Sequence, residues 1–258
     1  MFLDNDDVLY KAPKDQQDYH DAAATQAVRD QLPDLSEYEV KRLMDMSKEQ
    51  GGSLDVFTHM FNADARQLRG DHYKHLIENT KDSDFFEHEE GIYGNIGKLR
   101  IAGVDVHIIT HGSPQWTEHT NAQGERPLAP FFTNQGRSYT CKDDMPDHSG
   151  KTKPYIYRHA RHKMEDRRLI AAEATPQGQS YAMVDDTMAN LKKAKQDGMM
   201  TILVSRDGKY SDNEIADYVD LVVPDTTSAL YSVIQNNALH EVMDRNAEQN
   251  PDDQALSL

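Results

Sequence analysis

The chain has no apolar run near the ~20 residues that span a bilayer, and no basic stretch opens it in the manner of a leader. A membrane protein is therefore not expected, and a soluble cytoplasmic one is. Cysteine is almost missing: Cys141 stands alone. That excludes a disulfide framework within the chain and suits a reducing compartment. No histidine-containing motif surrounds Cys141, so a thiol nucleophile is not expected either. Basic residues are scarce against acidic ones, 28 to 44, with a formal charge of −16. This balance argues against a nucleic-acid backbone or an anionic membrane as the main partner. Repeats and low-complexity tracts are lacking as well.

What remains is enough for one large domain, or for a core with a smaller insert, in 258 residues of which 37% are hydrophobic. The hydrophobic rhythm changes along the chain. Residues 1–9 read as a short strand that runs into an acidic loop. Residues 15 to about 90 read as helices only. Ser36 with Glu39 is a capping-box signature ahead of Tyr38, Val40, Leu43, Met44 and Met46. "EQGGS" is expected to end that helix. Leu54, Phe57, Met60 and Phe61 are expected to share a face of the next, and "RQLRGDHYKHLIEN" looks like a third.

Beyond residue 98 strands and helices alternate. "VDVHIIT", "YAMV", "MMTILVS" and "VDLVV" read as buried strands. "PYIYRHARHKMEDRRLIAAEA" and "TMANLKKAKQDG" read as helices, the latter closed by Gly198. Short buried strands alternating with helices imply a parallel sheet covered on both faces. The expected fold is thus an α/β, Rossmann-like core of residues 1–14 and 92–258, with a helical unit of residues 15–91 inserted after the first strand. The tail from about 245 is polar.

The strand ends carry the chemistry. The first ends in "DNDD", with Asp4 and Asp6. The next ends in Thr110, His111, Gly112 and Ser113. "YAMV" runs into Asp185 and Asp186, with Asn190 shortly after, and Lys151 and Lys153 precede a helix. In a parallel sheet these ends meet at one edge, where open α/β folds bind ligands. Like charges ~4 Å apart repel by about 4 kcal/mol at an effective dielectric of ~20. Crowded carboxylates therefore call for a cation. Oxygen-only ligands favour Mg²⁺, and a hydroxyl, loop N–H groups and a lysine suit a phosphate. One carboxylate can act as nucleophile and a second as general acid and base.

These segments resemble the four motifs of the haloacid dehalogenase superfamily of phosphatases. "DNDDV" is similar to its DxDx[TV] opening, "HIITHGS" to its second motif, "KTKPYIY" to its Lys-Pro third and "MVDDTMANLKKAKQDGMMTILVS" to its fourth. They occur in the family's order. The opening, and more loosely "EQGGSLDVFTHMFNAD", is similar to the pyrimidine 5′-nucleotidase branch. The resemblance implies Asp4 as nucleophile and Mg²⁺ ligand. It implies Asp6 as general acid and base, with its main-chain carbonyl on the metal. Thr110 and the His111 N–H would hold phosphoryl oxygens. Lys153, directly before Pro154, is the lysine expected there rather than Lys151. Asp185 would be the acidic metal ligand, with Asp186 and Asn190 as secondary contacts. Asp7 stands where the family usually has Gly, Asn or Thr, and its charge should point away from the metal. The implied activity is phosphomonoester hydrolysis through an aspartyl-phosphate, on nucleoside 5′-monophosphates. The alternatives are another small phosphorylated metabolite, such as a sugar phosphate, or a phospho-ligand binder without catalysis.

Overall fold

The computed structural model describes residues 1–11, 13–48, 54–81, 86–132, 138–144, 151, 153–171 and 181–236. Among them, six strands build one parallel sheet. They are β1 (Phe2–Leu3), β2 (His107–Thr110), β3 (Tyr139–Cys141), β4 (Ala182–Asp185), β5 (Met200–Val204) and β6 (Leu221–Val223), in the order β3-β2-β1-β4-β5-β6. The helices are α1 (Gln16–Gln31), α2 (Glu37–Lys48), α3 (Asp55–Phe61), α4 (Ala65–Thr80), α5 (Ile92–Ile101), α6 (Pro114–Ala122), α7 (Ala129–Phe132), α8 (Tyr155–Ala171) and α9 (Met188–Gln196). Residues 226–236 are also helical. No helix among the described residues is long and apolar enough to cross a membrane.

Successive strand residues face opposite sides, and the sheet is apolar on both. Phe2, Ile109, Met183 and Leu203 pack with Ile156, Tyr157 and Met164 of α8 and with Leu191 and Ala194 of α9. Leu3, Ile108, Val184, Ile202 and Val204 pack on the other face with Ile92, Ile96 and Leu99 of α5 and with Ala229 and Leu230. The three-layer α/β sandwich is thus the expected Rossmann-like core. The chain builds β1, β2 and β3 outward in one direction, then crosses to β4 on the other side of β1. That reversal is the topological switch point, the place where such sheets bind ligands.

Several elements were not anticipated. β3 has only Tyr139, Thr140 and Cys141, too short for an apolar run, and it is recruited by pairing with β2. Helix α6 starts inside the second motif: Ser113 caps it, accepting from the Trp116 N–H at 3.1 Å, and Pro114 occupies its first turn.

Helices α1–α4 enclose their own apolar cluster of Ala24, Val28, Val40, Met44, Phe57 and Leu68. The Ser36–Glu39 capping box is formed: the Ser36 N–H donates to Glu39 Oε2 at 2.9 Å, and the Glu39 N–H donates to Ser36 Oγ at 3.3 Å. The apolar stripe expected on α3 is only half buried. Phe57 is enclosed, but Met60 and Phe61 are 63% and 38% exposed, because a seven-residue helix meets its neighbours along one short line. The "EQGGS" segment, residues 49–53, and the tail from about 245 lie outside the described residues. A second cluster joins this helical segment to the sheet edge: Ala23 of α1 and Leu76 of α4 pack with Tyr10, Phe86 and Trp116.

Arg206 locks the turn after β1. Its guanidinium donates to the Asp7 and Val8 carbonyls at 3.0 and 3.1 Å and pairs with Glu89. Glu89 in turn accepts from the Thr226 and Thr227 N–H groups. Replacing Arg206 by Met leaves Glu89 and two carbonyls without this partner. Stability should fall by about 3 kcal/mol, read as a lowered urea midpoint with unchanged slope.

Candidate active site

Register places the acids. Leu3 of β1 lies opposite Val184 of β4, so Asp4 and Asp185 leave adjacent strands side by side, and the Asp4 N–H bonds the Val184 carbonyl at 2.9 Å. Asp186 follows at once. Oxygens of Asp4, Asp185 and Asp186 all lie within 4.8 Å of one another. Asp4 and Asp185 are 6% and 0% exposed.

One lysine stands between them. Lys151 Nζ pairs with Asp4 and lies 2.8 Å from Asp185 Oδ2. It is among the largest fully buried side chains of the chain. Lys153, the lysine expected here, is exposed and stands outside the cluster. The expectation followed its position before Pro154. That proline leads into α8, and Lys153 beside it is exposed, whereas Lys151 is buried between the two acids. The Lys151 N–H also donates to His111 Nε2 at 2.9 Å. Burial, with the Lys151 and Lys142 charges, pushes His111 down to about 3, so its ring is neutral and Nε2 can accept.

Burial pushes the Asp4 carboxyl well above the ordinary carboxylate range; Lys151 opposes this, and Asp185, Asp6 and Asp186 add to it. Asp185 is raised by burial too, against the pull of Lys151. For Lys151, burial alone would lower the ammonium, but Asp185 and Asp4 hold it above the usual lysine range. These directions describe a cleft with negative charge in excess. Two further groups restrain Asp185: the Thr187 N–H at 2.9 Å and Asn190 Nδ2 at 3.0 Å. Asp186 is paired by Lys209 at 2.6 Å, a lysine that no motif pointed to.

Asp6 occupies a different environment. Its Oδ1 accepts from Trp116 Nε1 at 2.8 Å and from the Tyr10 hydroxyl. Its carboxylate is not one of the three that converge, a separation compatible with an acid–base role and with a metal contact through the main chain alone. Asn5 Nδ2 reaches the same oxygen at 3.3 Å. Thr110 is buried at the end of β2, where its Oγ1 accepts from the Gly112 N–H at 3.0 Å, leaving its own hydroxyl hydrogen to donate elsewhere. Asp7 takes the left-handed conformation, φ 54°, which Asp tolerates better than most residues. Its carboxylate lies 3.7 Å from Arg206 Nε, so its charge is answered outside the acidic trio.

These groups line a cleft of about 350 Å³ that includes Asp4, Asp6, His111, Lys151, Asp186 and Asn190. A larger hollow of about 970 Å³, around Glu87–Tyr93 and Gln123–Leu128, contains none of them. The three converging donors are all carboxylate oxygens, buried and short of positive charge. That donor set fits Mg²⁺ better than softer metals. Cys141 is buried on β3, and burial with nearby Asp144 pushes its thiol far up, which removes it as a nucleophile.

A six-stranded parallel sheet, with its acidic strand ends at the switch point and helices inserted after β1, has the haloacid dehalogenase-like fold. Among solved structures, the chain is similar to CbbY from Rhodobacter sphaeroides in complex with xylulose-(1,5)bisphosphate, at 16% identity over 88% of this chain and 93% of that one, TM-score 0.59. It is likewise similar to a HAD phosphatase from Thermococcus onnurineus, at 17% identity over 91% and 95%, TM-score 0.58. A hydrolase from Pseudomonas syringae shares 16% identity over 91% and 97%, TM-score 0.55. None of the three is described as a pyrimidine 5′-nucleotidase. No family model and no curated protein matches the sequence.

The two lysines are separable by stability. In buffer without divalent cations, Lys151→Met should cost about 3–5 kcal/mol in urea unfolding, because two buried carboxylates lose their partner. Lys153→Met should stay within ~0.5 kcal/mol of the parent.

Proposed function

We propose that the chain is a Mg²⁺-dependent phosphomonoester hydrolase that forms an aspartyl-phosphate on Asp4. The observation that carries this reading is the convergence of Asp4, Asp185 and Asp186 around Lys151 at the switch point. Mg²⁺ would be held by these three carboxylates and the Asp6 carbonyl, and when bound it supplies charge that admits a phosphate dianion and stabilises its transition state.

The chain's own groups divide the remaining work. An Asp4 oxygen attacks phosphorus. Lys151, already paired to Asp4, positions that carboxylate and offers its ammonium to the phosphoryl oxygens. The free hydroxyl hydrogen of Thr110 and the His111 N–H donate to the same oxygens. Asp6 protonates the departing alkoxide, then takes a proton from the water that attacks the aspartyl-phosphate. Lys209 and Asn190 hold Asp186 and Asp185 in place. Helices α1–α4 act as a cap over the cleft, seated through Tyr10, Phe86 and Trp116.

For the substrate, a small sugar phosphate is the better-supported class. The similar CbbY structure holds a sugar bisphosphate. Nucleoside 5′-monophosphates are the second reading, favoured by the resemblance of the opening "DNDDVLY". A cytoplasmic location suits either substrate.

With p-nitrophenyl phosphate and Mg²⁺ the protein should turn over, and EDTA should abolish turnover until Mg²⁺ is restored. Asp4→Asn should show no hydrolysis while keeping the parent's circular dichroism spectrum. Retained hydrolysis in that variant would remove Asp4 from the mechanism. A panel of sugar phosphates and nucleotides, ranked by kcat/KM, decides the class.

A further inference from the structure

We propose that Tyr10 and Trp116 are positioning residues that decide which oxygen of Asp6 exchanges the proton. The proposal rests on the reading of Asp6 as general acid and base. Three donors converge on one oxygen: Trp116 Nε1 at 2.8 Å, the Tyr10 hydroxyl, and Asn5 Nδ2 at 3.3 Å, all on Oδ1. Among the described residues no hydrogen bond reaches Oδ2. A carboxylate oxygen offers about two lone-pair sites, so Oδ1 is saturated and Oδ2 alone is open to a proton.

The clamp is built, not incidental. The indole is fully buried. It packs edge-on against Phe86 at 5.5 Å and meets His20 and Tyr73 at 6.0 and 6.3 Å. His20 and Tyr73 belong to α1 and α4, so the helical segment seats the ring that holds Asp6. From the sheet side, Gly112 makes room: a Cβ there would stand 2.9 Å from indole Cδ1. Tyr10 is wedged edge-on against Phe86 at 5.2 Å. An indole N–H can only donate, so Trp116 fixes the polarity of this contact.

The proton then has one route. As the Asp4 oxygen bonds to phosphorus and the bond from phosphorus to the leaving oxygen breaks, the Oδ2 proton passes to that oxygen. When water attacks phosphorus, its proton passes to Oδ2, and the electron pair of the acyl–phosphate bond returns to Asp4. Without the clamp the carboxyl group can rotate, and its protonated oxygen is no longer held toward the leaving group.

Leaving-group dependence tests this. Trp116→Phe and Tyr10→Phe each keep a ring and delete a donor. Compare kcat/KM, which reports formation of the aspartyl-phosphate, for phenyl phosphate and p-nitrophenyl phosphate. The nitrophenolate departs without a proton, whereas phenolate needs one. The double variant Trp116→Phe with Tyr10→Phe, which leaves only Asn5 on Oδ1, should lose on the order of 10²-fold with phenyl phosphate, the usual contribution of a positioned acid, and each single variant a smaller part of that loss. With p-nitrophenyl phosphate the loss should be only a few-fold. A purely structural role lowers both alike, and an equal loss overturns the clamp while leaving the phosphatase reading intact. If Trp116→Phe does not fold, the comparison in Tyr10→Phe decides. A parent protein inert toward both esters defeats the underlying phosphatase reading, and the clamp with it.

Discussion

The ammonium of Lys151, buried between Asp4 and Asp185, is the contact on which the architecture of the sheet edge depends. Parallel pairing of β1 with β4 forces two carboxylates to emerge side by side, and Asp186 adds a third. In a site largely removed from water their repulsion would otherwise push the strand ends apart or drive the acids into their neutral form. A single buried cation removes most of that cost and sets the spacing. Its main-chain N–H then ties the same residue to His111, so the loop after β2 is registered against the acids by one residue serving two strands. The compensation is incomplete, and the cleft keeps an excess of negative charge.

The second organising feature is the separation of Asp4 from Asp6. Two residues apart in sequence, they sit in different surroundings. Asp4 stays in the carboxylate cluster with Lys151. Asp6 turns away to an indole, a phenol and an amide. The left-handed turn at Asp7 follows directly, held from outside by Arg206. Distinct environments are how neighbouring carboxylates come to perform distinct chemistry. Here a turn a few residues long, braced by a guanidinium and an aromatic cluster, creates them.

That cluster also links the helical segment to the cleft. Tyr10, Phe86 and Trp116 meet Ala23 and Leu76 from α1 and α4. The apolar contact that seats these helices is therefore the same contact that orients Asp6. Packing and the orientation of the Asp6 carboxylate are coupled through one buried ring.

How far the sequence was legible follows from range. The strands β2, β4 and β5 and their acidic or hydroxylated ends were readable, because local apolar runs and the residues that stop them are adjacent in the chain. The capping box at Ser36 was readable for the same reason. β3 was not, since Tyr139–Cys141 forms a strand only by pairing with β2. Lys153 looked the better lysine from its proline neighbour, a local cue, while the choice of Lys151 depends on the route of the chain to strands far away in sequence. Asn5 and Tyr10 reach Asp6 from within the same short stretch, but the third donor on that oxygen, Trp116, lies more than a hundred residues on. The sequence by itself determined the order of the α/β elements and which residue types end the strands, because those are properties of neighbours along the chain. Only the tertiary structure decided which carboxylates converge, which ammonium joins them and which indole reaches Asp6, because each is set by contacts between distant segments that the sheet brings into one buried space.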